Sequence, residues 1–144
     1  MTQRTIRMII DKQQLLTAPA NTTVSEAARL MNQRRVGAIM VVEDGRLVGV
    51  FTERDAVCRV LAEGRDGKAT PLSEVMTGNP QTIRPDDSFV HALQMMHEGR
   101  FRHVPVTEEG RPIGMVSARD AMGPELEAFV YELLRQEHVS EILA

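Results

Sequence analysis

The 144-residue chain holds one cysteine, one tyrosine, four phenylalanines and no tryptophan, and each scarcity removes a class of protein. The single Cys58 rules out an intramolecular disulfide, and its place in an expected helix makes it a packed thiol. So few aromatics cannot build a base-stacking platform, and a formal net charge of −3 provides no general polyanion surface. Nucleic acid is therefore not an expected partner. No apolar run approaches the roughly 18 residues of a membrane span, and Met1 to Asp11 lacks the long uncharged stretch of a secretory leader. The expectation is a cytoplasmic protein with no membrane partner. There is no P-loop, no Gly-x-Gly-x-x-Gly run, and no grouping of nucleophile, base and orienting residue, which favours binding over catalysis. His91 and His97 stand six apart on one expected helix, with His103 and His138 on other elements, so no metal site is expected. Asp86-Asp87, Glu108-Glu109 and Glu43-Asp44 occupy turns or helix starts, where carboxylates cap or stay solvated.

What the chain does contain is an internal duplication. Thr22 to Ala56 align without a gap on Asp87 to Ala121 at an offset of 65, with eleven of 35 positions identical. Average residue usage would give about two matches. A repeat present in only two copies argues for two related units closing on each other with pseudo-twofold symmetry, since an open solenoid needs three or more. At 42% hydrophobic residues, two units of this size are expected to share one core. The nine methionines make that core pliable.

Each unit reads as helix, strand, turn, strand, helix. In the first, Thr23-Val-Ser-Glu26 has the form of a capping box, and Val24, Ala27, Ala28 and Met31 follow at helical spacing, predicting a helix to Arg34. Val36 to Val42 and Leu47 to Phe51 are apolar runs around a Glu43-Asp44-Gly45-Arg46 turn, and Thr52 caps a helix running from Glu53 to about Glu63 before Gly64. The second copy repeats this with a helix from Ser88 to Glu98, strands at Val104 to Val106 and Ile113 to Val116, and Ser117 as cap of a helix cut short by Gly123-Pro124. Extended lead-ins are expected at Arg7 to Ile10 and Gln81 to Ile83. From Glu125 onward, Leu126, Phe129, Val130, Leu133, Leu134, Val139 and Ile142 form an apolar helical stripe, available to its own module or to a second copy. The expected divisions are residues 1–66, 67–123 and 124–144: a mixed α/β (α+β) chain of two repeats and a C-terminal helix.

The repeated element with chemical content is Gly49-Val-Phe-Thr52-Glu-Arg54-Asp55, matched by Gly114-Met-Val-Ser117-Ala-Arg119-Asp120. A hydroxyl residue followed three positions later by Asp is an ordinary capping box. The same arrangement also suits a nucleotide: helix-start N–H groups and an arginine attract phosphate, and a carboxylate accepts the two hydroxyls of a ribose.

With that motif closing both copies, the chain resembles a tandem pair of cystathionine-beta-synthase (CBS) domains, a Bateman module, over about residues 8 to 123. Pro80-Gln-Thr-Ile-Arg-Pro-Asp-Asp-Ser and Arg102-His103-Val-Pro105-Val resemble further family segments. The resemblance implies two clefts between the repeats for AMP, ADP, ATP or S-adenosylmethionine as a regulatory ligand. It places Thr52, Arg54 and Asp55 with Thr77, Pro80, Arg102 and His103 in one cleft, and Ser117, Arg119 and Asp120 with Leu16, Thr17, Val36, Gly37 and Ala38 in the other. Asp55 and Asp120 would hold ribose hydroxyls, Thr52, Ser117 and the arginines phosphate, and the apolar junction residues adenine. Because Arg102-His103 stands where the first copy has Gly37-Ala38, the first cleft is expected to favour more highly phosphorylated ligands. A homodimer stacked through Ala56 to Val60 and Ala121 to Met122 is implied, together with an unidentified regulated protein. The competing readings are a dimerisation or partner-regulating scaffold without ligand, and a small enzyme acting on nucleotides.

Overall fold

A computed structural model describes residues 4–143, with side chains to Glu137. The described residues begin with a helix, α1 (Ile6–Ile10), where an extended lead-in was expected. The reason is tertiary: Ile6 and Ile10, one turn apart, are both buried against the second repeat. The N–H groups of Ile6 and Arg7, orphans of a helix start, donate to the carbonyls of Asp87 and Pro85 at 2.9 and 2.7 Å. The short strand β1 (Thr17–Ala18) then leads into the first repeat.

Helix α2 (Val24–Arg34) matches its expected range, with Thr23 Oγ1 accepting from the Glu26 N–H at 3.2 Å. It ends at Arg35 in the left-handed region (φ 54°), which turns the chain into strands β2 (Ala38–Glu43) and β3 (Arg46–Thr52). Asp44 and Gly45, both at positive φ, make the tight turn between them. Thr52 starts a single turn of helix, α3 (Glu53–Asp55), which widens into a π-helix over Ala56–Leu61. The expected α-helix to Glu63 is thus mostly π. Cys58 lies on that stretch and is exposed, contrary to the expected packed thiol. Helix α4 (Leu72–Val75) and strand β4 (Thr77–Gly78), from the segment joining the repeats, both pack on the first repeat. Its sheet has the order β1-β2-β3-β4.

The second repeat follows with α5 (Phe89–Gly99), β5 (His103–Glu108) and β6 (Arg111–Ser117). The duplication carries into hydrogen-bond register. Ala38↔Thr52 and His103↔Ser117 are paired at the offset of 65, and both hairpins carry a register shift at the equivalent point. One difference is a proline. Met40 N–H donates to Leu16 O at 3.1 Å and helps to hold β1, but its counterpart Pro105 has no N–H. The expected extended segment Gln81 to Ile83 is accordingly reduced to one parallel bridge between Ile83 and Val106. Ser117 opens a 3-10 turn (Ala118–Asp120), and Gly123-Pro124, expected only to stop a helix, begin α6 (Gly123–Leu143).

The buried apolar residues form two clusters and not the single shared core expected. Ile39, Val41 and Phe51 belong to the first, while Ala38, Met40 and Val50, on the opposite face by strand alternation, are also buried. That second face is where β3 meets β6 of the other repeat. The site lies beside this junction.

Candidate functional site

In both motif turns the N–H of the hydroxyl residue donates to the motif Asp. Thr52 N–H donates to Asp55 Oδ2 at 2.9 Å and Asp55 N–H to Thr52 Oγ1 at 3.2 Å, while Ser117 N–H donates to Asp120 Oδ2 at 2.8 Å. The next N–H along is also taken in each copy, Glu53 N–H by Gly37 O and Ala118 N–H by Arg102 O, both at 3.0 Å. These bonds tie each motif to the helix-to-strand junction of its own repeat. They also leave little of a helix-start anion site.

The carboxylates then diverge. Asp55 Oδ1 faces Arg59 Nε at 3.5 Å, and Arg59 also donates to the carbonyl of Met76 at 3.0 Å. Arg59 therefore clamps the first motif onto the chain leading into β4. At the offset of 65 the second repeat has Pro124, which cannot do this. Asp120 Oδ1 accepts no protein hydrogen bond among the described residues.

Two cavities flank the second motif. One, of about 350 Å³, is lined by Gln13, Leu16, Val36, Gly37, Ala38, Met40, Met115 and the motif residues Ser117, Arg119 and Asp120. The other, of about 570 Å³, is lined by Met31, Arg35, Phe51, Glu53, Arg102, His103 and Arg119 among others. Val36, Gly37, His103, Ser117 and Arg119 belong to both, so a chamber of mixed lining that carries Asp120 opens beside one that carries Arg35, Arg102 and Arg119. Both volumes fall in the range of small-molecule sites.

The structure thus brings together most of the second expected set: Leu16, Val36, Gly37, Ala38, Ser117, Arg119 and Asp120, with Thr17 adjacent on β1. The first set is separated. Thr52, Arg54, Asp55, Thr77 and Pro80 line neither cavity, whereas Arg102 and His103 join the second set. His103 shares the smaller cavity with Asp120, whereas Arg102 lines only the larger one, beside Glu53 and Ala56, which flank Arg54 and Asp55 of the first motif. Gln13, Met115, Glu53 and Arg35 were not foreseen. Of these only Arg35 had a signal, its identity with Arg100; Gln13 and Glu53 are matched by Gly78 and Ala118.

Burial pushes the His103 imidazole below its ordinary value; Glu53 and Asp120 oppose that, and Arg119 and Arg102 add to it. Behind the motif, Arg4 donates to both carboxylate oxygens of Glu125 at 2.9 and 2.6 Å and to Asp120 O at 2.6 Å. The guanidinium also lies 5.8 Å from the Phe89 ring centroid. The Arg4 hydrogen bond holds the Glu125 carboxyl below its usual range, against the opposing effect of burial. One ion pair thereby joins the N-terminal segment, the Asp120 turn and α6.

With the geometry in place, comparison with known proteins gives the family. The CBS-domain family model matches residues 6–61 and 72–123. The chain belongs to the CBS-domain family and is a tandem pair of such domains. It is 42% identical over 107 residues to CBS domain-containing protein YhcV of Bacillus subtilis, covering 74% of this chain and 76% of YhcV. Against CBSCBSPB1 of Arabidopsis thaliana the match spans 19% of the plant protein. The CBS domain protein PAE2072 of Pyrobaculum aerophilum, solved with AMP, superposes with TM-score 0.79 at 25% identity, over 89% of this chain and 99% of that one. The CBS pair of MJ0100, solved with 5'-methylthioadenosine and S-adenosyl-L-methionine, gives TM-score 0.74 at 26% identity, covering 83% and 93%.

Proposed function

We propose that this CBS pair is a regulatory sensor of an adenine nucleotide, which it binds once, in the cleft of Asp120. The ribose hydroxyls meet the free Oδ1 of Asp120, the base lies among Leu16, Val36, Ala38 and Met40, and the phosphates extend into the cationic chamber. The observation that carries this reading is the junction of the two chambers at Ser117 and Arg119. Arg35, Arg102 and Arg119 face one carboxylate, Glu53, in the larger chamber. That surplus of positive charge favours AMP, ADP or ATP over the cationic S-adenosylmethionine.

Binding rather than catalysis is the reading that suits these residues, a carboxylate for a sugar and arginines for an anion. Output passes through a surface. Leu126, Val130, Tyr131 and Leu134 of α6 are exposed, at 46 to 70%, and suit a homodimer or a regulated protein. A ligand-free scaffold is the second reading, favoured by one fact: both motif carboxylates already serve capping boxes. Thermal melting with AMP, ATP, S-adenosylmethionine and GMP decides between them. A ligand that binds only the folded chain raises stability by about 2.7 kcal/mol at 100 times its Kd. The sensor reading expects such a shift with AMP or ATP. No shift with any of the four leaves the scaffold.

A further inference from the structure

We propose that the Gln13 side chain is an internal stand-in for the edge of an adenine base, and that the ligand swings it out to bond the main chain of Met115. The proposal rests on the reading of the Asp120 cleft as a nucleoside site and assigns the group that reads the base. Gln13 Nε2 donates to Met115 O at 2.8 Å, and Met115 N–H donates to Gln13 Oε1 at 2.8 Å. One exposed carboxamide thus satisfies both polar groups of one strand residue. Met115 needs it because, by the alternation of an antiparallel ladder, its own N–H and C=O point away from the hairpin.

The first repeat solves the same problem differently. Val50, the equivalent of Met115, pairs with Thr77 of β4. A strand fills the edge there and a single rotatable side chain fills it here, so only the second repeat can release the pair by side-chain rotation. The main chain around Gln13 is fixed independently, by Gln13 N–H donating to Ile10 O at 2.9 Å and by Arg34 donating to Gln14 O at 3.0 Å.

The chemistry matches adenine. A primary carboxamide presents an acceptor beside an N–H donor, and so does the adenine edge, through N1 and the 6-amino group. Hypoxanthine presents the reverse order, N1–H and O6. Gln13, Met115, Ser117 and Asp120 line one cavity. Met115 and Ser117 are two strand residues apart, about 7 Å, which suits a base edge at one end and ribose hydroxyls at the other.

Two measurements on the full chain test this. In ¹⁵N spectra the Gln13 side-chain amide pair, assigned by its loss in Gln13→Ala, should shift on AMP addition toward solvated values. By calorimetry Gln13→Ala should bind AMP on the order of tenfold more tightly than the parent, since two neutral hydrogen bonds no longer compete, and both proteins should bind IMP more weakly than AMP. An unmoved Gln13 amide in the AMP complex, or weaker AMP binding by Gln13→Ala, overturns the proposal while leaving the nucleotide reading intact. If neither AMP nor adenosine binds parent or variant, the nucleotide reading itself fails and this proposal falls with it.

Discussion

Replacing Glu125 by alanine removes both charge-assisted hydrogen bonds to Arg4 and the bond that Glu125 Oε1 accepts from the Met122 N–H at 3.0 Å. Hydrogen bonds to charged groups contribute about 1.5–3 kcal/mol each. The Arg4 side chain, 29% exposed, rehydrates in part and keeps the Asp120 carbonyl, so the sum must be reduced. A net loss of about 2–3 kcal/mol is expected, equivalent to roughly 8 °C in Tm for a chain of this size. Glu125→Gln retains shape and an acceptor and should lose about 1 kcal/mol. The pH dependence separates this from a packing defect. Because Arg4 lowers the folded Glu125 value below its usual 4.5, the contribution is complete above that value and disappears as pH falls through the folded one. Urea unfolding of parent and Glu125→Ala should therefore differ fully at neutral pH and converge in acid, below the ordinary carboxylate range. A gap under about 0.5 kcal/mol at pH 7, or one of unchanged width in acid, would refute the assignment.

Gly114→Ala should cost about 1–3 kcal/mol, because its Cβ would come 2.6 Å from Ile10 Cγ2, whereas Gly49→Ala meets only the flexible Met76 thioether and should cost less than half as much in denaturant midpoint. His103 binds fewer protons folded than unfolded, so stability should fall as pH drops below about 6.5, and His103→Gln should flatten that slope in pH-dependent melts. Phosphate in the cationic chamber should raise the His103 titration midpoint measured by proton NMR. Val130→Glu with Leu134→Glu should shift the sedimentation coefficient from dimer to monomer; a parent that sediments as monomer at high micromolar concentration removes the homodimer.

The parts legible in the sequence were those governed by local periodicity and turn chemistry. Thr23 and Ser88 set α2 and α5, Asp44-Gly45 and Glu109-Gly110 set the hairpins, and the duplication set the equivalence of the motifs. The parts decided by distant contacts were not legible. Helix α1 takes its form from Ile6 and Ile10 meeting the second repeat, and the width of the π-helix after Asp55 has no marker in its residues. At the site, the carboxylates were visible because they recur, whereas the junction residues around Gly37, matched by Phe101, Arg102 and His103, came only from the family resemblance. An inequality of the two clefts was expected from Arg102-His103 standing where the first copy has Gly37-Ala38, but two of its sources, Arg59, which engages Asp55, and Gln13, which occupies Met115, were not, because they are unrepeated residues whose partners only the fold brings near. The stripe residues Val139 and Ile142, and His138, lie outside the described side chains.

The central claim is that one adenine nucleotide binds, and that Asp120 holds its ribose. Calorimetric titration of AMP into the parent, Asp55→Ala and Asp120→Ala, each first checked for folding by circular dichroism, tests it most directly. The account predicts one site per chain, retained within a few-fold in Asp55→Ala and weakened by at least about thirtyfold in Asp120→Ala, the loss of a charge-assisted pair of hydrogen bonds. Two sites per chain, or equal losses in both variants, would contradict it.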